Sequence, residues 1–123
     1  MVTDVEIDAD FAVLDLPAKQ PGSAEATKGQ PTEQFVVTVA SVGDVAFVGL
    51  GGEVLTEIGL AIKDASPFKH TFVITHCNGT AGYLTPKSLY IEAGYEVTTS
   101  HFAPWAAHMV QRTAVAMLHG LTD

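Results

Sequence analysis

The sequence predicts an α/β fold in which helices flank a layered, mixed sheet. Apolar, β-rich segments recur along the chain, and segments with helical spacing of apolar residues stand between or after them. Turns rich in glycine and proline separate these segments. The 123 residues suffice for one domain with one modest core.

The N-terminal part combines a strand with a long polar segment. Residues 5–16, VEIDADFAVLDL, are rich in β-forming residues and predict a strand. Residues 17–34 hold three prolines and two glycines and predict a loop or linker. We therefore divide the single domain into residues 1–34 and an α/β region at 35–123. The length of the loop favours a first strand that lies apart from the rest.

A β-hairpin is predicted next, with strands at 35–42 and 45–50 around the turn Gly43-Asp44. Both strands are apolar along most of their length, so we expect both faces of the sheet to be covered. The remaining predicted elements are a helix at 53–65, a buried strand at 70–77, a short helix at 86–92 and a last helix from Ala103-Pro104 to about residue 119.

Composition and charge exclude several classes of partner. The net charge of −8 and the lack of a Lys/Arg cluster argue against nucleic acid and anionic membranes. No apolar run approaches the roughly 20 residues of a transmembrane segment. The N-terminus, MVTDVEIDAD, lacks the features of a signal peptide. Cys77 is the single cysteine, which excludes an internal disulfide and leaves the compartment open.

Glu53 is the first candidate site residue. It follows Gly51-Gly52 at the end of a predicted strand and at the start of a predicted helix. Ligands and catalytic groups of α/β folds collect at such positions, and glycine lets the backbone approach a ligand closely. The alternative is structural, since an acidic residue in the first turn of a helix complements the helix dipole.

The three tyrosines form a second group of candidates. Tyr83, Tyr90 and Tyr95 lie within thirteen residues of one another, and a glycine directly precedes Tyr83 and Tyr95. Both of these tyrosines stand where a loop meets a predicted strand, a common location for site residues. The alternative is that they fill half-buried corners with their hydroxyls satisfied locally.

The histidines show no spacing typical of a metal site. None of them forms an HxH or HExxH pattern. His108 and His119 are interpreted as surface or helix-cap residues, and His76 as a structural histidine. A nucleophilic pair of Cys77 with His76 is discounted, because adjacent residues of a strand point to opposite faces.

Two stretches carry a resemblance to a known family. They are FVVTVASVGDVAFVGLGGEVLTEIGLAIKDASPF and NGTAGYLTPKSLYIEAGYEV, within residues 35–120. This part of the chain resembles the last part of the catalytic domain of neutral ceramidases and their bacterial relatives. Those enzymes are zinc amidohydrolases that cleave the N-acyl bond of sphingolipids. The matching motifs are Gly51-Gly52-Glu53, Asn78, Gly82-Tyr83, Thr85, Tyr90 and Gly94-Tyr95-Glu96.

The resemblance implies a role for each matched site residue. Glu53 and Tyr83 would be zinc ligands, and Tyr95 would lie beside the scissile carbonyl, where a phenol can stabilise an oxyanion. Tyr90 receives no role and is expected to pack the short helix on the core. The implied substrate is ceramide or a related N-acyl lipid, and the implied location is secreted or extracytoplasmic.

Two departures from the family pattern shape the functional hypothesis. Gly52 stands where the family has proline, and the two histidine ligands and the histidine base that the family takes from upstream have no counterpart, because His70 is the first histidine. We therefore interpret the chain as part of a larger catalytic domain, completed by a missing N-terminal part or a partner chain. Alone, it should show negligible amidase activity and weak zinc affinity.

Two other readings remain open. One is a non-catalytic scaffold, binding or assembly module that keeps the fold, with Glu53 and the tyrosines in structural roles. The other is a homo-oligomer that recruits His76 or His101 across an interface to complete the metal site.

Overall fold

The computed structural model describes residues 5–18, 32–79, 82–84, 102–103 and 105–122. Eight elements lie in this part of the chain. In chain order they are β1 (Ile7–Pro17), β2 (Thr32–Val42), β3 (Val45–Leu50), β4 (Glu53–Val54), α1 (Thr56–Ala65), β5 (His70–Ile74), β6 (Tyr83–Leu84) and α2 (Ala106–Gly120).

Within the described residues, the main sheet has four strands in the order β1-β2-β3-β5. The pairs β1/β2 and β2/β3 are antiparallel, whereas β3 and β5 are parallel and are connected through α1. A mixed sheet with two helices confirms the predicted α/β class.

The first strand belongs fully to this sheet. β1 pairs with β2 from Ile7 opposite Val42 to Pro17 opposite Thr32, so the expectation of a separate first strand is wrong. Strand β2 also begins at Thr32, inside the segment predicted as a loop. Its polar first residues extend the strand because β1 supplies ladder partners, a non-local contact that overrides local composition.

The predicted hairpin is confirmed. Strands β2 and β3 flank the turn Gly43-Asp44, with Val42 opposite Val45. Gly43 has a φ of +61°, the left-handed region that glycine enters without steric cost, and its N–H donates to the carbonyl of Glu6 at 2.9 Å. The turn is therefore tied to the residue that precedes β1.

The core lies on one face of the main sheet, between the strands and the two helices. Helix α1 contributes Ile58 and Ile62, as its spacing predicts, and α2 contacts β1, β2 and α1. The largest fully buried side chains are Leu16, Phe35, Val37, Val39, Val48, Leu50, Ile58, Ile62, Leu84, Phe102, Val110 and Leu118. Phe35 and Phe102 meet edge to face at 5.9 Å between ring centroids.

Neither helix of the described residues packs on the opposite face of the main sheet, so the expected cover of that face does not come from this part of the chain. Large apolar side chains stand on it with substantial exposure, and Phe47 stacks on Phe72 at 5.5 Å between ring centroids. We call this surface the open face. Its exposed apolar residues are Ile7, Phe11, Val13, Val42, Phe47, Phe72 and Ile74.

Three predicted element boundaries differ from the structure. Helix α1 begins at Thr56 rather than at residue 53. Strand β5 ends at Ile74 rather than at residue 77, and its residues alternate between exposed and half-buried because it is an edge strand with one open face. The final helix begins at Ala106. The short helix predicted at 86–92 lies outside the described residues.

Candidate functional site

A second, two-stranded sheet brings two predicted site residues together. Strands β4 and β6 are parallel, with Glu53 opposite Tyr83. The N–H of Glu53 donates to the carbonyl of Gly82 at 2.8 Å, and that of Leu55 donates to the carbonyl of Leu84 at 3.3 Å. Neighbouring strands are about 4.8 Å apart, and direct partners project their side chains to the same side. Glu53 and Tyr83 are therefore side by side.

Glu53 does not lie in the first turn of α1, where the structural alternative places it. It lies in β4 and not in the first turn of a helix, where the acidic residue is Glu57 instead. The expectation that Glu53 starts α1 is wrong, because its N–H bonds to a distant strand rather than entering the helix. A favourable interaction with the dipole of α1 therefore does not account for Glu53.

His76, interpreted from the sequence as a structural histidine or as a ligand recruited across an oligomer interface, lies beside Glu53 of its own chain. Its Nε2 lies 3.8 Å from Oε2 of Glu53, and the two side chains are 52% and 46% exposed. His76 follows β5 in a bend with a φ of 54°, so it is not part of a strand. The signal that could have located this bend is Asn78-Gly79, a dipeptide typical of turns.

The bend at residues 75–79, which we call the site loop, is anchored to the connection between β3 and β4. The N–H of His76 donates to the carbonyl of Gly52, and that of Cys77 donates to the carbonyl of Leu50, both at 2.9 Å. Asn78, with a φ of 60°, also donates from Nδ2 to Oγ1 of Thr38 at 3.2 Å. These bonds hold His76 and Glu53 against the same stretch of backbone.

Glycines permit this close approach of the site loop to the sheet. A Cβ on Gly49 would lie 2.4 Å from Sγ of Cys77, and one on Gly79 would lie 2.8 Å from the carbonyl oxygen of Gly51. Gly51 itself lies against the backbone of Val36, where a Cβ would approach to 3.1 Å. These three glycines therefore let the site loop and the connection after β3 pack closely on the sheet.

Cys77 and His76 do not form a nucleophilic pair, as expected from the sequence, but the physical reason differs from the expected one. The two residues lie in a bend, so alternation along a strand does not apply. Instead, Cys77 is half-buried with its sulfur over Gly49, whereas the imidazole of His76 lies near Glu53.

The other predicted residues do not join this cluster in the part of the chain that the structure describes. His70, His108 and His119 are exposed, on β5 and α2. Tyr90, Tyr95 and His101 lie outside the described residues.

The chemistry of the donors fits part of a zinc site. Within the described ranges, no group of three or more His, Cys, Asp or Glu side chains could hold a metal ion. Glu53 offers a carboxylate, His76 an imidazole and Tyr83 a phenol oxygen. Carboxylate oxygen and imidazole nitrogen are ordinary zinc ligands, and a phenolate is a compatible oxygen donor. The set is suitable but incomplete.

A broad groove lies elsewhere on the surface. It runs between β1 and the two helices, and Asp8, Asp10, Ala61, His108 and Arg112 are among the residues that line it. None of Glu53, His76 and Tyr83 lines this groove, so it is separate from the candidate site.

None of the helices within the described ranges has the length and apolar character needed to cross a membrane.

Comparison with known proteins shows which solved structures have a similar fold. No protein-family profile and no curated protein matches the sequence. Among solved structures, the neutral ceramidase from Pseudomonas aeruginosa is similar with a TM-score of 0.74 at 15% identity, over 94% of this chain and 28% of that one. A ceramidase complexed with C2 is similar with a TM-score of 0.65 at 22% identity, over 71% of this chain and 15% of that one. The chain thus spans less than a third of either protein, and its fold is ceramidase-like.

Proposed function

We propose that this chain contributes Glu53 and Tyr83 to the active site of a zinc amidohydrolase that cleaves the N-acyl amide of ceramide or a related N-acyl lipid. The observation that carries the proposal is the pairing of Glu53 with Tyr83 in β4 and β6. The fold likeness to two ceramidases supports the reaction class.

The proposed roles follow from the chemistry of each side chain. The carboxylate of Glu53 and the phenol oxygen of Tyr83 would hold the metal from two adjacent strands. Bound zinc would lower the pKa of a water molecule to about 7 and so provide a nucleophile at neutral pH. Tyr95, which the resemblance places beside the scissile carbonyl, would donate its hydroxyl proton as a hydrogen bond to the developing oxyanion.

A second segment would complete the site. The remaining histidine ligands and the histidine base would come from an upstream part of the same polypeptide or from a partner chain. The short span of this chain against the ceramidases supports this arrangement. The open face supports it as well, because exposed apolar side chains such as Phe11 (68%) and Phe72 (53%) are normally covered by another layer.

A test compares Glu53→Gln with Glu57→Gln in the natural protein, isolated in its full assembly through a tag on this chain. The assay follows release of fatty acid from a fluorescent short-acyl ceramide. We expect Glu53→Gln to lower kcat/KM about 100-fold or more. Glu57 is an exposed acidic residue in the first turn of α1 and serves as the matched control, so its variant should retain full activity. Equal activity of both variants would contradict the proposal.

A non-catalytic assembly module is the second candidate, favoured by the extent of the open face. Tyr83→Phe separates the two, because it removes one oxygen atom and keeps the ring. Loss of turnover with an unchanged melting temperature supports the enzyme. Unchanged turnover with an altered melting temperature supports the module.

A further inference from the structure

We infer that His76 is a third metal-ligating side chain supplied by this chain, beside Glu53 and Tyr83. The inference rests on the proposed function, because it concerns the same metal site. It adds a ligand from the site loop, at a position where the resemblance to the ceramidases assigns none.

The distance between His76 and Glu53 is the first observation. Nε2 of His76 and Oε2 of Glu53 are 3.8 Å apart. A hydrogen bond would need about 2.7–3.2 Å, so the two groups do not bond directly. Two donors that each lie about 2.0–2.1 Å from a tetrahedral zinc ion are about 3.3–3.5 Å apart. The observed separation is therefore closer to that of two ligands sharing one ion than to that of a hydrogen-bonded pair.

The second observation is that His76 and Glu53 form only a weak ion pair. Both side chains are about half exposed. Exposed ion pairs contribute about 0–1 kcal/mol to stability, and less when the geometry is loose. An ion pair of this strength does not fix the two side chains on each other, so both donor atoms are free to turn toward a shared metal ion.

The backbone around His76 is the third observation. Its φ of 54° lies in the left-handed region, which is unfavourable for residues with a side chain. The bond from its N–H to the carbonyl of Gly52 fixes it one residue from Glu53. The loop thus maintains an unfavourable conformation that places an imidazole beside a carboxylate.

The resulting site has nitrogen and oxygen donors from three separate elements. Glu53 lies on β4, Tyr83 on β6 and His76 in the site loop. Fewer ligands are then required from the completing segment than the resemblance implies. Because Glu53 and His76 remain about half exposed, affinity for zinc in the isolated chain should still be weak.

The experiment measures zinc binding by the 123-residue chain, without reference to activity. Zinc affinity is determined by competition with a fluorescent chelator, and Co²⁺ absorption reports the ligand set. We expect His76→Ala and Glu53→Gln each to weaken zinc binding about tenfold or more. His76→Gly removes the same imidazole and relieves the left-handed backbone, so it should fold at least as well and lose the same affinity. His119→Ala, at an exposed histidine of α2, is the control and should bind as the parent does.

The outcomes separate this inference from the proposed function. If Glu53→Gln weakens binding and both His76 variants bind as the parent does, the inference is overturned and the proposed function stands. If neither Glu53→Gln nor the His76 variants change zinc affinity, both are overturned. Tight 1:1 binding that is lost in Glu53→Gln but kept in His76→Ala would also overturn the inference.

Discussion

Gly49→Ala tests whether the site loop packs on the sheet as described. A Cβ at residue 49 would lie 2.4 Å from Sγ and 2.9 Å from Cβ of Cys77. Non-bonded heavy atoms are most favourably placed at about 3.5–4.0 Å, so the loop must move by about 1 Å to accept the methyl group. We expect the free energy of unfolding to fall by about 1–3 kcal/mol, the usual cost of overpacking a well-packed contact.

Gly59→Ala is the matched control, since it adds the same methyl group elsewhere. Gly59 lies inside α1, and a Cβ there would approach Val73 no closer than 3.8 Å, an ordinary contact. Because alanine is the better helix former, this variant should raise the free energy of unfolding by about 0.5–1 kcal/mol. Urea unfolding of the 123-residue chain, followed by circular dichroism, measures both changes.

Cys77→Ala tests whether the contact with Cys77 causes the loss of stability expected for Gly49→Ala. It removes the sulfur that lies closest to the new methyl group, so Gly49→Ala should cost less in the Cys77→Ala background. We expect a coupling free energy of about 0.5–3 kcal/mol from the double-mutant cycle. The reasoning is refuted if Gly49→Ala is neutral, or if its cost is the same in both backgrounds.

Three further predictions concern the core, the site loop and the open face. Ile62→Ala should lower the free energy of unfolding by about 2–5 kcal/mol, and Leu60→Ala, 57% exposed on the same helix, by less than about 1 kcal/mol; equal urea midpoints would contradict this. Asn78→Ala should lower the free energy of unfolding by about 1 kcal/mol more than Asn78→Gly, because glycine accepts the φ of 60° at this position without steric cost. A higher melting temperature for Asn78→Ala than for Asn78→Gly would contradict this prediction. Phe72→Thr should lower the free energy of unfolding by less than about 1 kcal/mol and should reduce the binding of an apolar dye to the open face. A decrease in the free energy of unfolding above about 3 kcal/mol would show that the side chain of Phe72 is covered.

Local patterns explain which parts of the fold could be predicted. The hairpin follows from Gly43-Asp44 between two β-rich segments, and α1 follows from the spacing of Ile58 and Ile62. The coverage of the sheet could not be predicted in the same way, since an apolar strand such as β3 looks identical whether one or two layers pack on it. The open face results from the packing of α1 and α2 on the same, opposite side of the sheet, a non-local arrangement.

The candidate site was predictable from the sequence to a smaller degree. Glu53 and Tyr83 are candidates from their positions after glycine at the ends of predicted elements, and the resemblance implies their roles. Their pairing depends on a non-local bond from Glu53 to Gly82 that no local pattern encodes. That bond also explains why the helix starts at Thr56. The proximity of His76 to Glu53 in the same chain was not predicted, because β5 was predicted to continue to residue 77 and so placed the histidine in a strand. The apolar run before Asn78-Gly79 outweighed the turn signal of that dipeptide.

The site loop lies next to the open face, and this has a consequence for how the proposed site would be completed. The site loop directly follows β5, whose Phe72 and Ile74 stand on the open face, and it places Cys77 over Gly49 on that face. A segment that packs on the part of the open face around Gly49 and Thr38 would therefore contact the site loop. We expect that contact to hold the site loop in its zinc-binding conformation. Packing of the segment and zinc binding would then strengthen each other by the same factor, since coupling between two binding events is reciprocal. We therefore expect zinc affinity in the isolated chain to be weak and to rise when the proposed completing segment packs on the open face.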